Sequence, residues 1–295
     1  MVKEHTQSMK IMQRPLKFVS HQRSKSLCRQ KILYVFGVIW LCISAVSCSS
    51  GNKTSSTNQT TSYWQSIVDS MESLTQNLQL PEDFQKEDAF KTGKEFDVNK
   101  YFSVLNYLSM QPGYILDYTY TYNFFGGSPF IYAREVDKSS YLNFSEYKNG
   151  LGEISSDNIG YRYMDHIQID DTAEGYFQFI VLRIMGRQFY LFWHGGYDDE
   201  EIVCDRATVK NILAELSDPN IIWAKPDLIQ KLRARFLKLK PRIEFSADRV
   251  LVRVVIFTSW GGFIQKSYSI SRNFPHKILQ EEEKTLVYYD CMVMF

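Results

Sequence analysis

The chain has 295 residues, 44% of them hydrophobic, with 34 Lys and Arg against 33 Asp and Glu. That is enough apolar material for one large core or two small ones. A balance so close to neutral excludes the accumulated positive charge that a phosphate backbone requires, so no nucleic-acid partner is expected.

The charge is unevenly placed. Eight basic residues (Lys3, Lys10, Arg14, Lys17, Arg23, Lys25, Arg29 and Lys31) face one acid, Glu4, in the first 31 positions. Removing residues 1–47 takes away those eight and that one, leaving 26 basic against 32 acidic residues, a net of −6. The positive leader precedes an apolar run over residues 32–46, 15 residues long. A spanning helix needs about 20, so the run has the length of a secretory signal rather than a permanent anchor. It ends small and polar at Ser44-Ala45-Val46-Ser47, followed by Cys48.

These residues resemble the lipobox of bacterial lipoproteins, with Ala45 standing where that family usually has Leu. The resemblance covers the first 50 residues alone. It implies removal of residues 1–47 as a signal peptide, lipidation of Cys48, and a protein held in the cell envelope by its acyl chains. A multi-chain anchor holds stably where one chain does not. Ser49 resembles the outer-membrane sorting pattern, which implies a domain facing the periplasm. The alternative is an uncleaved signal anchor with Cys48 an ordinary thiol.

Residues 49–62 hold no apolar side chain and read as a flexible tether. At roughly 5–6 Å × √n, such a tether reaches about 20 Å. A helix is expected next, with Trp64, Ile67, Val68, Met71, Leu74 and Leu78 on one face, Ser62 as cap and Pro81 as stop. Residues 82–96 read as a polar loop pinned by Phe84, Phe90 and Phe96. A second helix is expected over 97–110, capped by Asp97. The period then shifts to two over 114–123, a strand. Gly126-Gly127-Ser128-Pro129 reads as the turn and 130–134 as the return strand. Three more strands are expected at 161–169, 175–184 and 187–194, the last two joined at Met185-Gly186. Helices follow from Asp205 and from Pro226 to Lys240. Strands at 242–246, 249–258, 263–270 and 285–291 complete the chain, with a turn at Trp260-Gly261-Gly262. The fold class is α+β: antiparallel sheets, N-terminal helices and two further helices packed on them. It forms one domain over 63–295, with a faint echo of two similar halves divided near 200–225.

The densest chemistry lies at His194, Asp198, Asp199, Glu200 and Glu201, with Cys204 and Asp205 just after. Oxygen ligands there could hold a divalent cation, but neither a calcium-loop ladder nor the His-Glu-x-x-His pattern is present. Solvated loop acids are the simpler reading. His166 is expected to lie roughly 10 Å or more from His194, two strands away. Cys204 and Cys291 remain after the leader is removed, a candidate disulfide or two buried thiols. Cys204 beside His194 also offers a nucleophile–base pair, and Asp165 with Asp170 an acid pair, without any local signature for either. No serine elbow or phosphate loop is present, and no cofactor is expected.

Aromatic residues make up 15% of the chain. The Tyr118, Tyr120, Tyr122 stripe is either a sugar-stacking platform or core, and core is favoured because the apolar face of a half-buried strand points inward. Residues 226–240 interleave Lys231, Arg233, Arg235, Lys238 and Lys240 with Leu228, Ile229, Leu232, Phe236 and Leu237, after Lys225. In an acidic domain this segment faces solvent, anionic lipid or an acidic partner. The sequence therefore points to a cell-envelope lipoprotein of non-enzymatic type, binding a saccharide or an envelope protein. The alternative is an envelope hydrolase of saccharide or peptide with acids around His194.

Overall fold

The computed structural model describes residues 62–87, 89–123, 125–151, 159–193, 200–221 and 223–292. Helix α1 (Tyr63–Thr75) begins at Ser62, whose hydroxyl accepts the Gln65 N–H at 3.2 Å. Its buried face is Ile67, Val68 and Met71, as the 3.6-residue spacing dictates. Two short 3-10 helices follow, Glu82–Phe84 and Val98–Ser103. Asp97 caps the second by accepting the Asn99 N–H at 2.9 Å. The helix expected over 97–110 ends there. Asn99 turns aside to clamp both the N–H and the carbonyl of Leu116, and Leu108–Met110 become strand β1.

Strands β2 (Tyr114–Asn123) and β3 (Gly126–Glu135) pair along their whole length, from Tyr114 with Glu135 to Asn123 with Gly126. The residues expected to turn, 126–129, are therefore strand. Gly127 is needed for close approach: a side chain there would meet the Tyr120 ring, 2.5 Å from its hydroxyl. Helix α2 (Phe144–Leu151), a 3-10 helix (Ile159–His166) and strand β4 (Ile167–Ile169) lead into helix α3 (Ala173–Met185). The expected strand at 175–184 is thus a helix. Nine of its 13 residues are buried, so it is apolar on every side. An all-round apolar segment carries no period that separates helix from strand. Thr172 caps it by accepting the Gly175 N–H at 3.0 Å.

Beyond α3, strand β5 is only Phe192–Trp193 and β6 only Glu201–Ile202. Helices α4 (Arg206–Glu215) and α5 (Leu228–Arg235) start at Asp205 and Asp227, the latter in a capping box with Gln230. Strands β7 (Arg242–Phe245), β8 (Arg249–Thr258), β9 (Gly262–Ser271) and β10 (Ile278–Val287) end the described chain. Strand β10 lies seven residues earlier at its start than the 285–291 expected. Its middle is Gln280, Glu281, Glu282, Glu283 and Lys284, a charged edge without apolar alternation that resists further strand addition.

The fold is α+β, with every strand pair antiparallel. One sheet has the order β10-β9-β8-β6, with β7 sharing the β6 edge of β8. A second is β2-β3-β5, and β1 pairs β4. On β8, Val250, Val252, Val254 and Ile256 enter the larger core with α1 and α3. Val255 and Phe257 point the other way, into a smaller core with α4, Ala234 and Tyr289. Helices on both faces explain why this strand reads as a nearly continuous apolar run. Gly262 has φ +78°, and a Cβ there would meet the Val287 carbonyl at 2.2 Å, so the turn onto β9 requires glycine. The described residues belong to one compact unit, and the larger core runs across the expected division at 200–225.

Ile180 is fully buried on α3, whereas Leu228 on α5 is 72% exposed. Ile180→Ala is expected to cost about 3 kcal/mol in urea unfolding, and Leu228→Ala less than about 0.5.

Candidate functional site

Most of the acidic cluster read from the sequence lies outside the described residues. His194, Asp198 and Asp199 lie outside them. Glu200 is described, and its carboxylate is held by Lys266 Nζ at 2.6 Å. Lys266 also meets Glu283 at 2.8 Å, while Arg183 of α3 holds Glu281 at 2.8 Å. Burial and the neighbouring charges of Glu283 and Glu281 push Glu200 above the usual carboxylate range, against the pull of Lys266. The group serves as an ion network between α3 and the β9–β10 edge. No set of three His, Cys, Asp or Glu positioned for a metal occurs among the described residues.

His166 packs against Tyr114, ring centroids 4.2 Å apart and tilted by 31°, with Nδ1 3.0 Å from Gln111 Oε1. The register used to place it against His194 does not exist, because residues 175–184 are helical. Asp170 Oδ1 accepts from the Thr172 hydroxyl at 2.6 Å and belongs to the α3 cap region. Cys204 and Cys291 are both buried free thiols, not a disulfide. Cys204 packs in the larger core and Cys291 in the smaller. Burial, with Asp205 nearby, pushes the Cys204 thiol far up, which removes it as a nucleophile. Tyr118 and Tyr120 are core: Phe84 stacks on Tyr120 at 4.5 Å, and the Tyr120 hydroxyl donates to the Tyr190 carbonyl.

Two sites built on buried ionisable side chains were missed by sequence reasoning. Asp117 is buried between Lys91 and Arg134, the latter at 3.1 Å, and accepts the Tyr118 N–H at 2.8 Å. Burial raises its carboxyl, but the Lys91 and Ser140 hydrogen bonds and the Lys91 charge outweigh that and hold it below the usual value. His276, 6% exposed, lines a shallow cleft of about 380 Å³ with Asn106, Ser109, Gln168 and Phe274. Its Nδ1 lies 3.1 Å from the Ser271 carbonyl, so that nitrogen carries the proton. Burial pushes its pKa down, against the pull of the Ser271 carbonyl and of Asp171. Neither site had a local signal, since both are made by residues far apart in sequence.

The surface that stands out is α5. Leu228, Ile229, Leu232 and Phe236 are 72%, 60%, 44% and 77% exposed. At 100° per residue they fall within one 100°-wide stripe, with Ala234 diametrically opposite and fully buried. The helix thus packs through its smallest residue and displays its largest. The capping box and a Gln230 Nε2 hydrogen bond to the Tyr288 carbonyl at 2.9 Å hold it in place. Arg206 donates to the Arg235 carbonyl at its other end. Beside it runs a groove of about 830 Å³ lined by Arg206, Lys238, Lys240, Arg242 and Arg253, with Glu244. Residues 225–242 carry seven basic side chains against one acid, Asp227. Lys225 is committed to the Asp218 and Ile221 carbonyls. Lys231, Arg233, Arg235, Lys238 and Lys240 have no side-chain partner among the described residues.

No protein-family model, curated protein or solved structure matches the chain. The site must therefore be read from its own chemistry.

Asp117→Asn leaves Lys91 and Arg134 without their counter-charge and is expected to cost about 3 kcal/mol in urea unfolding. Because the folded-state carboxyl is depressed, its contribution is present above the unfolded pKa of about 3.9 and is lost as pH falls through the folded value. The variant should therefore show a flatter stability profile below about pH 4. Intact mass after alkylation should find Cys204 and Cys291 unmodified in the folded protein and both modified after denaturation. A disulfide would leave both unmodified in denaturant.

Proposed function

We propose that the chain is a cell-envelope lipoprotein whose domain is a non-enzymatic binding module. On this reading residues 1–47 are the export signal, Cys48 carries the acyl chains, and residues 49–62 are the tether. The working surface is the outward face of α5 with the basic groove beside it. One observation carries the binding part: four large apolar side chains stand exposed in a row on a helix that gives only Ala234 to the core. Contiguous exposed apolar surface rimmed by charge marks an interaction site. Of the acids around His194 that an envelope hydrolase would use, Glu200 is engaged by Lys266, and Asp198 and Asp199 lie outside the described residues, so that reading gains no comparable support.

The lipoprotein part predicts a mature chain beginning at Cys48. Expression in a bacterium, with intact mass and membrane fractionation of wild type beside Cys48→Ala, checks it. The expected result is cleavage before Cys48 with added acyl mass in the wild type, and an unprocessed Cys48→Ala chain. An uncleaved, unacylated wild type would replace the lipoprotein with a signal anchor.

A further inference from the structure

We infer that α5 is an interfacial helix that lies on an anionic phospholipid surface. The inference deepens the binding reading of this face and rests on it. It does not require that Cys48 be lipidated.

The arrangement on α5 is that of a helix built for the boundary between headgroups and acyl chains. Leu228, Ile229, Leu232 and Phe236 form the apolar stripe. Arg233 lies about 85° to one side of its centre, and Arg235 about 75° to the other, at 100° per residue. Lys231 is next to Arg235 on the same flank, and Lys238 and Lys240 continue the charge beyond the helix. Long basic side chains on both flanks can lay their stems on the apolar stripe and raise their charges to phosphates. An apolar face edged by Lys and Arg binds the plane of an anionic membrane. Among the flanking cations Lys231, Lys238 and Lys240 are of the type depleted from protein–protein interfaces, while Arg233 and Arg235 suit either kind of partner.

The charge is segregated as well. The segment over 225–242 holds seven of the 26 basic residues that follow position 47 and only one of the 32 acids. The remainder of the chain after position 47 is net acidic, which disfavours its approach to an anionic surface.

The described chain also begins beside this helix. The Ser62 N–H donates to Asp205 Oδ2 at 3.3 Å, and the next residue, Arg206, donates to the Arg235 carbonyl. Two side-chain hydrogen bonds thus link the end of the tether to the end of α5. A chain held at residues 32–48, whether by lipid or by an uncleaved signal, brings this side of the domain to the bilayer within a tether reach of about 20 Å.

The test uses the full chain reconstituted in vesicles of phosphatidylcholine alone or with about a third phosphatidylglycerol, each with brominated acyl chains. Phe236→Trp places an indole on the stripe, and its quenching is read as the difference from wild type. The expected result is at least a twofold drop in the added emission with phosphatidylglycerol. It should be lost in about 0.5 M salt, lost when Leu232→Glu is added, and absent with phosphatidylcholine alone. Circular dichroism confirms that the variants are folded. Equal quenching in both vesicles, or none in either, would overturn the inference. So would a blue-shifted, unquenched indole accompanied by a doubled mass in sedimentation, which would put a second copy of the chain on the helix. Repeating the measurement on Cys48→Ala separates the two readings. Persistence of the signal there leaves α5 on the membrane whatever the state of the N-terminus.

Discussion

The structure depends on burying α3 on all sides. Its apolar residues cannot be satisfied by one layer, so elements from both ends of the chain must close around it. Trp64 of α1 meets Phe177 edge-on at 4.9 Å, Tyr176 meets Phe245 of β7, and Val250, Val252, Val254 and Ile256 of β8 line the larger core beneath it. A helix so enclosed must also satisfy its few polar groups inside. Gln178, 1% exposed, accepts the Tyr107 N–H at 2.9 Å and donates to Asn106 Oδ1 at 3.2 Å. At the C-terminal end the Tyr101 hydroxyl donates to the Gly186 carbonyl at 2.8 Å. These bonds tie α3 to the 3-10 segment and to β1, which explains why residues 97–110 abandon the helix their spacing suggests.

Enclosure of α3 occupies one face of the main sheet and leaves the other to α4 and α5. Helix α4 gives Val209, Ile212 and Leu213 to the smaller core, and α5 gives only Ala234. An eight-residue helix with a single buried side chain is held by its ends, through the capping box, Arg206 and Tyr288, more than by its face. Its large apolar residues are free to be presented outward. The ionic groups elsewhere have the opposite character. Lys266 with its glutamates and Asp117 with its two cations are closed on themselves and cement one element to another.

What could be read from the sequence followed locality. Ser62, Asp97 and Asp205 are legible because a cap needs only a side chain and a backbone N–H two or three residues away, whereas the Asp227–Gln230 box was hidden by reading Pro226 as the first helical residue. Strands β2, β8 and β9 are legible from alternation or β-branched runs bounded by turns. The misreadings share a different cause. Residues 173–185 have no polar face to set a period, Gly127 looks like part of a turn but makes room for the Tyr120 ring, and β10 hides its register under six consecutive polar side chains, Gln280 to Thr285. The histidine buried against the cleft, His276, gives no sign in its neighbours Phe274 and Lys277 of what it will face.

The sequence by itself determined the charge segregation, the α+β class and the caps at Ser62, Asp97 and Asp205, since each is a property of composition or of residues within a few positions. Only the tertiary structure decided that Asp117 and Lys266 would be buried among partners, that Cys204 and Cys291 would enter different cores, and that the apolar stripe of α5 would face outward. A helical wheel shows that Leu228, Leu232 and Phe236 share a face. Which face a helix buries is settled by what space remains once the larger core has closed, and here that space admitted only Ala234.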